Sequence, residues 1–452
     1  MRWTAHPYQM HAAQFMLERD AAGLLLAPGL GKTSTTLAAI AALKATGQIK
    51  AALVIAPLRP MRATWPAEMR KWDEFKLLRH RILHGPKKAA ALAEEADVYL
   101  INPEGLDWLF QASHGPLPFD LLVVDESTKF KNPSSARFKL LKSQLGKFKR
   151  RYILTGTPSP NGIEDLWAQV YMLDGGERLG RFITHFRRAF MIDVAPKHAD
   201  YAVWRPVLGA EEVIRDKVAD ICMALKAEDY LTMPELIVND IEVDLPPAAV
   251  KHYRELRDRF ITELASGVVT AASAGVKTMK LRQIANGVVY DDVGAGEHIH
   301  DAKLDALTEL VEEQAGDPLL VAVAFLSEVR AIQKHLGYDV PYLGGGVSPA
   351  QADKIVADWN NGRLPVLLAH PTSVAHGLNL QAGGRAVCWF GLTYNREEYD
   401  QLNARVYRQG QTRGVVIHRI LANGTIDAAI VDALENKGTS QRAFIDSLRR
   451  LL

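Results

Sequence analysis

Gly23-Leu24-Leu25-Leu26-Ala27-Pro28-Gly29-Leu30-Gly31-Lys32-Thr33-Ser34 runs an apolar strand-like stretch into a Gly-rich loop and then into a segment rich in Thr and Ala. Strand, Gly-rich loop, helix is the context that a phosphate-binding loop requires. The glycines let backbone N–H groups converge on phosphate oxygens at a helix N-terminus. Lys32 reaches the outer phosphates as a mobile point charge, and the Thr33 hydroxyl can ligate magnesium. Residues 28 to 34, from Pro28, Gly29, Leu30 and Gly31 through Lys32 and Thr33 to Ser34, are therefore the expected nucleotide cradle, with Leu26 standing where the commonest form of the loop has Gly.

Outward from this loop, short apolar runs alternate with helical stretches: Gly23 to Ala27, Ala51 to Pro57, Asp97 to Ile101, Asp120 to Asp125 and Arg151 to Thr155. This spacing predicts an α/β unit with a mostly parallel sheet covered by helices on both faces. A second set, Leu319 to Ala324, Pro365 to Ala369, Ala386 to Phe390 and Val415 to Ile420, predicts a second such lobe. The expected organisation is an N-terminal lobe over 1–174, a helical insertion over 175–240 carrying Phe182, Phe186, Arg187, Arg188 and Phe190, and a C-terminal lobe over 241–452.

Three further motifs carry chemistry. Leu121-Leu122-Val123-Val124-Asp125-Glu126 is an apolar run ending in two acids, suited to hold a metal through Asp125 and to orient and polarise an attacking water through Glu126. Leu154-Thr155-Gly156-Thr157-Pro158 follows another strand, and its hydroxyls can bond the acid pair. Gln401 to Gln411 places Arg405 and Arg408 three apart, two guanidinium groups able to face a transferring phosphoryl group. Upstream, Gly377 sits in a turn able to bring backbone against a phosphate, and near the start Tyr8-Gln9 offers an aromatic surface and an amide that match adenine.

Taken in order, these segments resemble helicase superfamily two, and within it the SWI/SNF-like ATPases of compact phage and bacterial type. Pro7-Tyr8-Gln9 is similar to the Q motif, 27–33 to motif I, Val54-Ile55-Ala56-Pro57-Leu58 to motif Ia, Asn102-Pro103-Glu104 to motif Ib, and Asp125 to Asn132 to motif II, with Thr128 in place of His. Thr155 to Asn161 resembles motif III, Gly377-Leu378-Asn379-Leu380 motif V, and Gln401 to Gln411 motif VI, whose Gly410-Gln411 and the Thr155-Gly156-Thr157 turn differ from the DEAD-box pattern. Of the family's Arg-Arg-x-Lys segment only Lys226 matches. The resemblance implies two RecA-like lobes, ATP and Mg2+ as cofactors, and lobe closure that brings Arg405 and Arg408 to the γ-phosphate. It implies a DNA-dependent ATPase that tracks along one strand of duplex DNA; strand separation is not implied. A strand-separating helicase and a nucleotide-switched DNA clamp remain the alternatives.

Composition bounds the rest. The chain has 452 residues, 48% hydrophobic and 23% charged, the balance of a folded globular chain. Its net charge of +2 calls for no polyanion by itself, so a DNA-binding face must be local. Arg59, Arg62, Lys129, Lys131, Arg137, Lys139, Lys142 and the cluster Lys147, Lys149, Arg150, Arg151 are the phosphate-contact candidates. Trp65, Trp72, Trp389 and Phe390 read as core. The two cysteines, Cys222 and Cys388, read as buried thiols in a reducing compartment. Without a run long enough to span a bilayer or a signal-peptide core, the expectation is a cytoplasmic protein that meets no membrane. With both lobes and the insertion using the whole length, no chromatin-reading module is expected, and targeting falls to the insertion or to a protein partner.

Overall fold

The computed structural model describes residues 1–112, 117–195, 202–226, 229–230, 234–259, 261–263, 268–270, 274–290, 296–374, 378–408 and 411–436. The chain divides into two compact units, one containing Met1–Leu231 and the other Thr232–Asn436.

The first unit is built on seven strands: β1 (Ala21–Leu26), β2 (Ala52–Ile55), β3 (His80–Ile82), β4 (Val98–Ile101), β5 (Leu121–Asp125), β6 (Arg150–Thr155) and, after a small hairpin of β7 (Met191–Asp193) and β8 (Trp204–Pro206), β9 (Cys222–Leu225). Their order across the sheet is β3-β4-β2-β5-β6-β1-β9, and every pairing is parallel. Parallel strands need crossovers, and these place helices on both faces, which is why β2, β4 and β5 are buried at every residue. One large apolar cluster, including Ile55, Tyr99, Phe130, Phe138, Trp167 and Phe186, forms the core.

The second unit carries β10 (Leu236–Val243), the hairpins β11 (Ile261–Glu263) with β12 (Val268–Thr270) and β13 (Val288–Tyr290) with β14 (Gly296–His298), and β15 (Leu319–Ala322), β16 (Tyr342–Leu343), β17 (Val366–Ala369), β18 (Ala386–Trp389) and β19 (Val415–Ala422). Its main sheet runs β10-β19-β18-β15-β17-β16, again all parallel. Successive residues of β15 alternate between two cores: Leu320 and Ala322 enter one, Leu319 and Val321 the other. The expected fold class, two mostly parallel α/β lobes, is what the chain adopts.

The stretch 175–240 is not the separate helical insertion expected from its sequence. It contributes the β7–β8 hairpin and helices, then β9 to the edge of the first sheet, while β10 already belongs to the second. The reason is pairing. The apolar run of β9, buried at all four positions, finds the free edge of β1, and β10, exposed along most of its length, finds β19 nearly 180 residues on. β10, with its exposed and charged positions, lacks the full apolar run that marks a central strand, and the apolar run of β9 is only four residues long. Among the described residues no helix is long and apolar enough to cross a membrane.

Candidate ATP and metal site

The parallel arrangement puts the C-terminal ends of β1, β6 and β5 side by side. Leu24 pairs with Leu154, and Leu154 with Asp125, so the phosphate loop, the Thr-Gly-Thr-Pro turn and the acid pair leave three consecutive strands at one level. Strands stand about 4.8 Å apart, which sets the loop roughly 10 Å from the acids, a span suited to a polyphosphate with its cation.

The loop itself is shaped by glycine. Gly29 and Gly31 adopt φ of 90° and 76°, left-handed values that cost a side chain strain. Gly31 caps the helix Lys32–Ala45, and a Cβ there would run into Gln9 Nε2 and stand 3.1 Å from Ser34 Oγ. Gln9 is buried under the loop: its Oε1 accepts from His6 N at 3.0 Å and its Nε2 donates to Leu30 O at 3.2 Å. Tyr8 is also buried, stacked with His6 and packed against Tyr230 at 4.9 Å. Gln9 thus braces the loop as well as lying where an adenine reader is expected. Lys32 Nζ donates to Leu26 O at 2.8 Å, folding back over the loop, and Ser34 Oγ donates to Gly31 O at 3.0 Å. Thr33, in the first turn of that helix, is half-buried.

At the acid strand, Asp125 is buried and Glu126 half-buried. Glu126 has φ 52°, one of two non-glycine residues in the left-handed region among the described residues, a strained geometry of the kind that clusters at functional sites. Burial, together with the neighbouring Glu126 charge, pushes the Asp125 carboxyl well above the usual carboxylate range, against the opposing pull of the Trp65 hydrogen bond and Lys32. A buried carboxylate disfavoured in its charged form and flanked by a second acid fits a divalent cation, which would relieve both effects. Ser127 and the Thr-Gly-Thr-Pro turn are joined behind the acids. Ser127 Oγ donates to Gln169 Oε1 at 2.7 Å, and Gln169 Nε2 donates to Pro158 O at 2.6 Å. At Gly156 a Cβ would stand 3.1 Å from Pro28 Cδ, so the turn lies directly on the loop. Gln169 is a residue that sequence reasoning missed, since nothing local marks a helix-borne Gln as a bridge.

In the second unit the arginine pair separates into two situations. Arg405 spends its guanidinium on backbone, with Nη1 donating to Leu378 O at 3.0 Å and Nε to Gln401 O at 3.2 Å. Arg408 makes no ion pair among the described residues, and burial pushes its guanidinium below its ordinary value. Gln401 is buried, its amide donating to Glu397 Oε1 at 3.2 Å, so it is spent inside the unit rather than on an open face. Gly377 lies outside the described residues.

The basic candidates also sort themselves. Arg150, with a side chain only 13% exposed, is bound to Arg19 O at 2.8 Å and Leu17 O at 3.2 Å, and Lys149 pairs with Asp120 at 3.3 Å. They stand, with Arg151, at the start of β6, the strand end opposite the phosphate loop; Arg150 is structural, whereas the Lys149 side chain is largely exposed. Lys142 lies 4.4 Å from the Tyr171 ring and Lys131 3.7 Å from Asp165. Arg62, Arg137 and Lys139 remain exposed. Trp65, Trp389 and Phe390 are fully buried, as expected of core residues.

Comparison with known proteins gives the family. Residues 8–287 match the SNF2-related domain and residues 302–410 the helicase conserved C-terminal domain. Protein p41 of Acyrthosiphon pisum secondary endosymbiont phage 1 is 33% identical over 99% of both chains. The ATP-dependent helicase/translocase YwqA of Bacillus subtilis is 24% identical over 98% of this chain, which spans only 49% of that protein. The Sulfolobus solfataricus SWI2/SNF2 ATPase core in complex with dsDNA aligns over 100% of this chain and 97% of its own, with a TM-score of 0.45 and 24% identity. With the SNF2-related domain covering more than half of its length, the chain belongs to the SNF2-related family of helicase superfamily two, as a DNA-dependent ATPase of the SWI/SNF-like type.

Proposed function

We propose that this ATPase is a translocase on duplex DNA, hydrolysing ATP to ADP and phosphate while bound to the duplex. The observation that supports it most directly is the in-line exit of the phosphate loop, the Thr-Gly-Thr-Pro turn and the acid pair from β1, β6 and β5, a hydrolytic arrangement rather than a simple nucleotide clamp. Lys32 leaves Leu26 O to meet the outer phosphates, and Glu126 orients the attacking water and draws its proton. Thr33 and Asp125 would hold Mg2+, which supplies charge neutralisation on the phosphate oxygens. Arg408 is the second unit's available cation for the transferring phosphoryl group, while Arg405 fixes the segment that presents it. Tyr8 and Gln9 read the adenine and transmit its presence to Gly31. The exposed cations near the C-terminal edge of the first sheet, Arg62 foremost, grip phosphates without reading sequence. The name of the Bacillus relative accords with this reading.

Steady-state ATP hydrolysis is measured alone and with single-stranded DNA, duplex DNA and RNA at one salt concentration, followed by displacement of a third strand from a triplex. Duplex stimulation with triplex displacement is expected, and Lys32→Ala abolishes both. Unwinding of a forked duplex would instead make the protein a helicase, and DNA-independent turnover would overturn the proposal.

A further inference from the structure

One contact in the first unit joins an exposed surface to the acid pair. Trp65 is fully buried, and its Nε1 donates to Asp125 Oδ2 at 2.8 Å, while Glu126 N donates to Asp125 Oδ1 at 3.1 Å. Each oxygen of the metal-holding carboxylate therefore has one fixed donor. Indole has a single N–H and no acceptor, and its ring has no freedom to turn in a packed core, so the contact selects one carboxylate rotamer.

The segment that delivers Trp65 is equally specific. Pro60–Thr64 forms a π-helical turn closed by Trp65 N on Pro60 O, and the chain continues directly into the helix Trp65–Lys71. A π turn inserts one residue into the helical count and re-aims the side chains of the next turn, and such turns concentrate at functional sites. The same segment leaves Leu58 42% exposed and carries Arg62 at the surface. A short helical segment thus carries an exposed arginine, Arg62, on its outer side and an indole on the acid.

We propose that Trp65 is a positioning residue that holds Asp125 in the rotamer meeting the divalent cation, and that it makes this rotamer depend on duplex phosphate bound at 58–62. The second half rests on the duplex-translocase reading above; the first does not. Trp65→Phe keeps an aromatic ring and removes the N–H. Binding of Mn2+ in the presence of ADP, followed by electron paramagnetic resonance without turnover, is expected to weaken about ten-fold, the contribution of one hydrogen bond to a charged group. ADP affinity in EDTA should stay near wild type, and the thermal unfolding midpoint should fall only by the few degrees that one lost hydrogen bond to a buried carboxylate is worth. Mn2+ affinity within two-fold of wild type would overturn the positioning role. A second measurement needs no variant: by reciprocity, saturating duplex should tighten Mn2+ binding to the wild-type ADP complex. If duplex stimulates ATP hydrolysis yet leaves Mn2+ affinity unchanged, the coupling is refuted while the translocase reading stands. If duplex neither stimulates hydrolysis nor tightens Mn2+, both the coupling and that reading fail, and the Trp65→Phe result still decides the positioning role.

Discussion

Lys303 offers a sharp test of how the second unit is held together. Its ammonium is fully buried and all three of its protons are placed: Asp427 Oδ2 at 2.6 Å, Asn286 Oδ1 at 2.8 Å and Phe390 O at 3.3 Å. Asp427 is 2% exposed and accepts also from Ala422 N at 2.9 Å. Asn286 passes the network on to Glu328 Oε1 at 2.6 Å, whose other oxygen accepts from Ala324 N at 2.7 Å. The loop ends after β15 and β18 and the C-terminal part of β19 are therefore joined through one lysine. Lys303→Met keeps the aliphatic volume and leaves the Asp427 carboxylate buried without its counter-charge. Breaking such a pair from one side costs about 3–5 kcal/mol. For a unit of about two hundred residues, each kcal/mol moves Tm by about 2–4 °C, so the second unit's transition should fall by roughly 6–20 °C in scanning calorimetry. The double variant Lys303→Met/Asp427→Asn removes the orphaned charge and should recover at least half of that loss, because the penalty is that of the unpaired ion rather than of lost contacts. A single-variant shift under about 2 °C, or a double variant no better than the single, would refute the reasoning.

The glycine loop and the two thiols give further tests. Gly31→Ala forces a Cβ into Gln9 at φ 76°, so nucleotide affinity measured with a fluorescent ADP should fall by about ten-fold or more, as expected for strain of roughly 1–3 kcal/mol. Burial pushes both the Cys222 and the Cys388 thiol up to about 12, and because only the thiolate reacts, about one thiol in ten thousand is ionised at about pH 8. Ellman's reagent should find neither cysteine in the native protein at that pH and both after denaturation.

Much of the candidate site was legible because it is local. The phosphate loop needs only a strand, glycines at the turn and a helix start, and the strands leading to Asp125 and Thr155 announce themselves as unbroken apolar runs. The short β3, the two-residue β16 and the mostly exposed β10 were not legible, since a strand covered on one side or hardly at all lacks such a run, and the four apolar residues of β9 sit at the end of a helical stretch that masks them. The cluster at 147–151 shows the same limit for charge. Composition could not tell that Arg150 is tied to the backbone of residues 17 and 19, whereas a parallel sheet places the start of β6 at the strand end away from the Gly-rich loop.

The amino-acid sequence alone determined that this chain makes two α/β lobes, that a Gly-rich loop from Gly29 to Thr33 links a strand to a helix, and that Asp125 and Glu126 follow an apolar strand. These depend on contacts between near neighbours, where residue type and spacing suffice. Only the tertiary structure decided that β6 lies between β1 and β5, that Gln9 sits beneath Gly31, that Gln169 bridges Ser127 and Pro158, and that the indole of Trp65 holds Asp125. The hydrogen bonds that make these last three contacts join residues from 11 to 60 positions apart, and such pairs are set by strand order and packing, which no local pattern encodes.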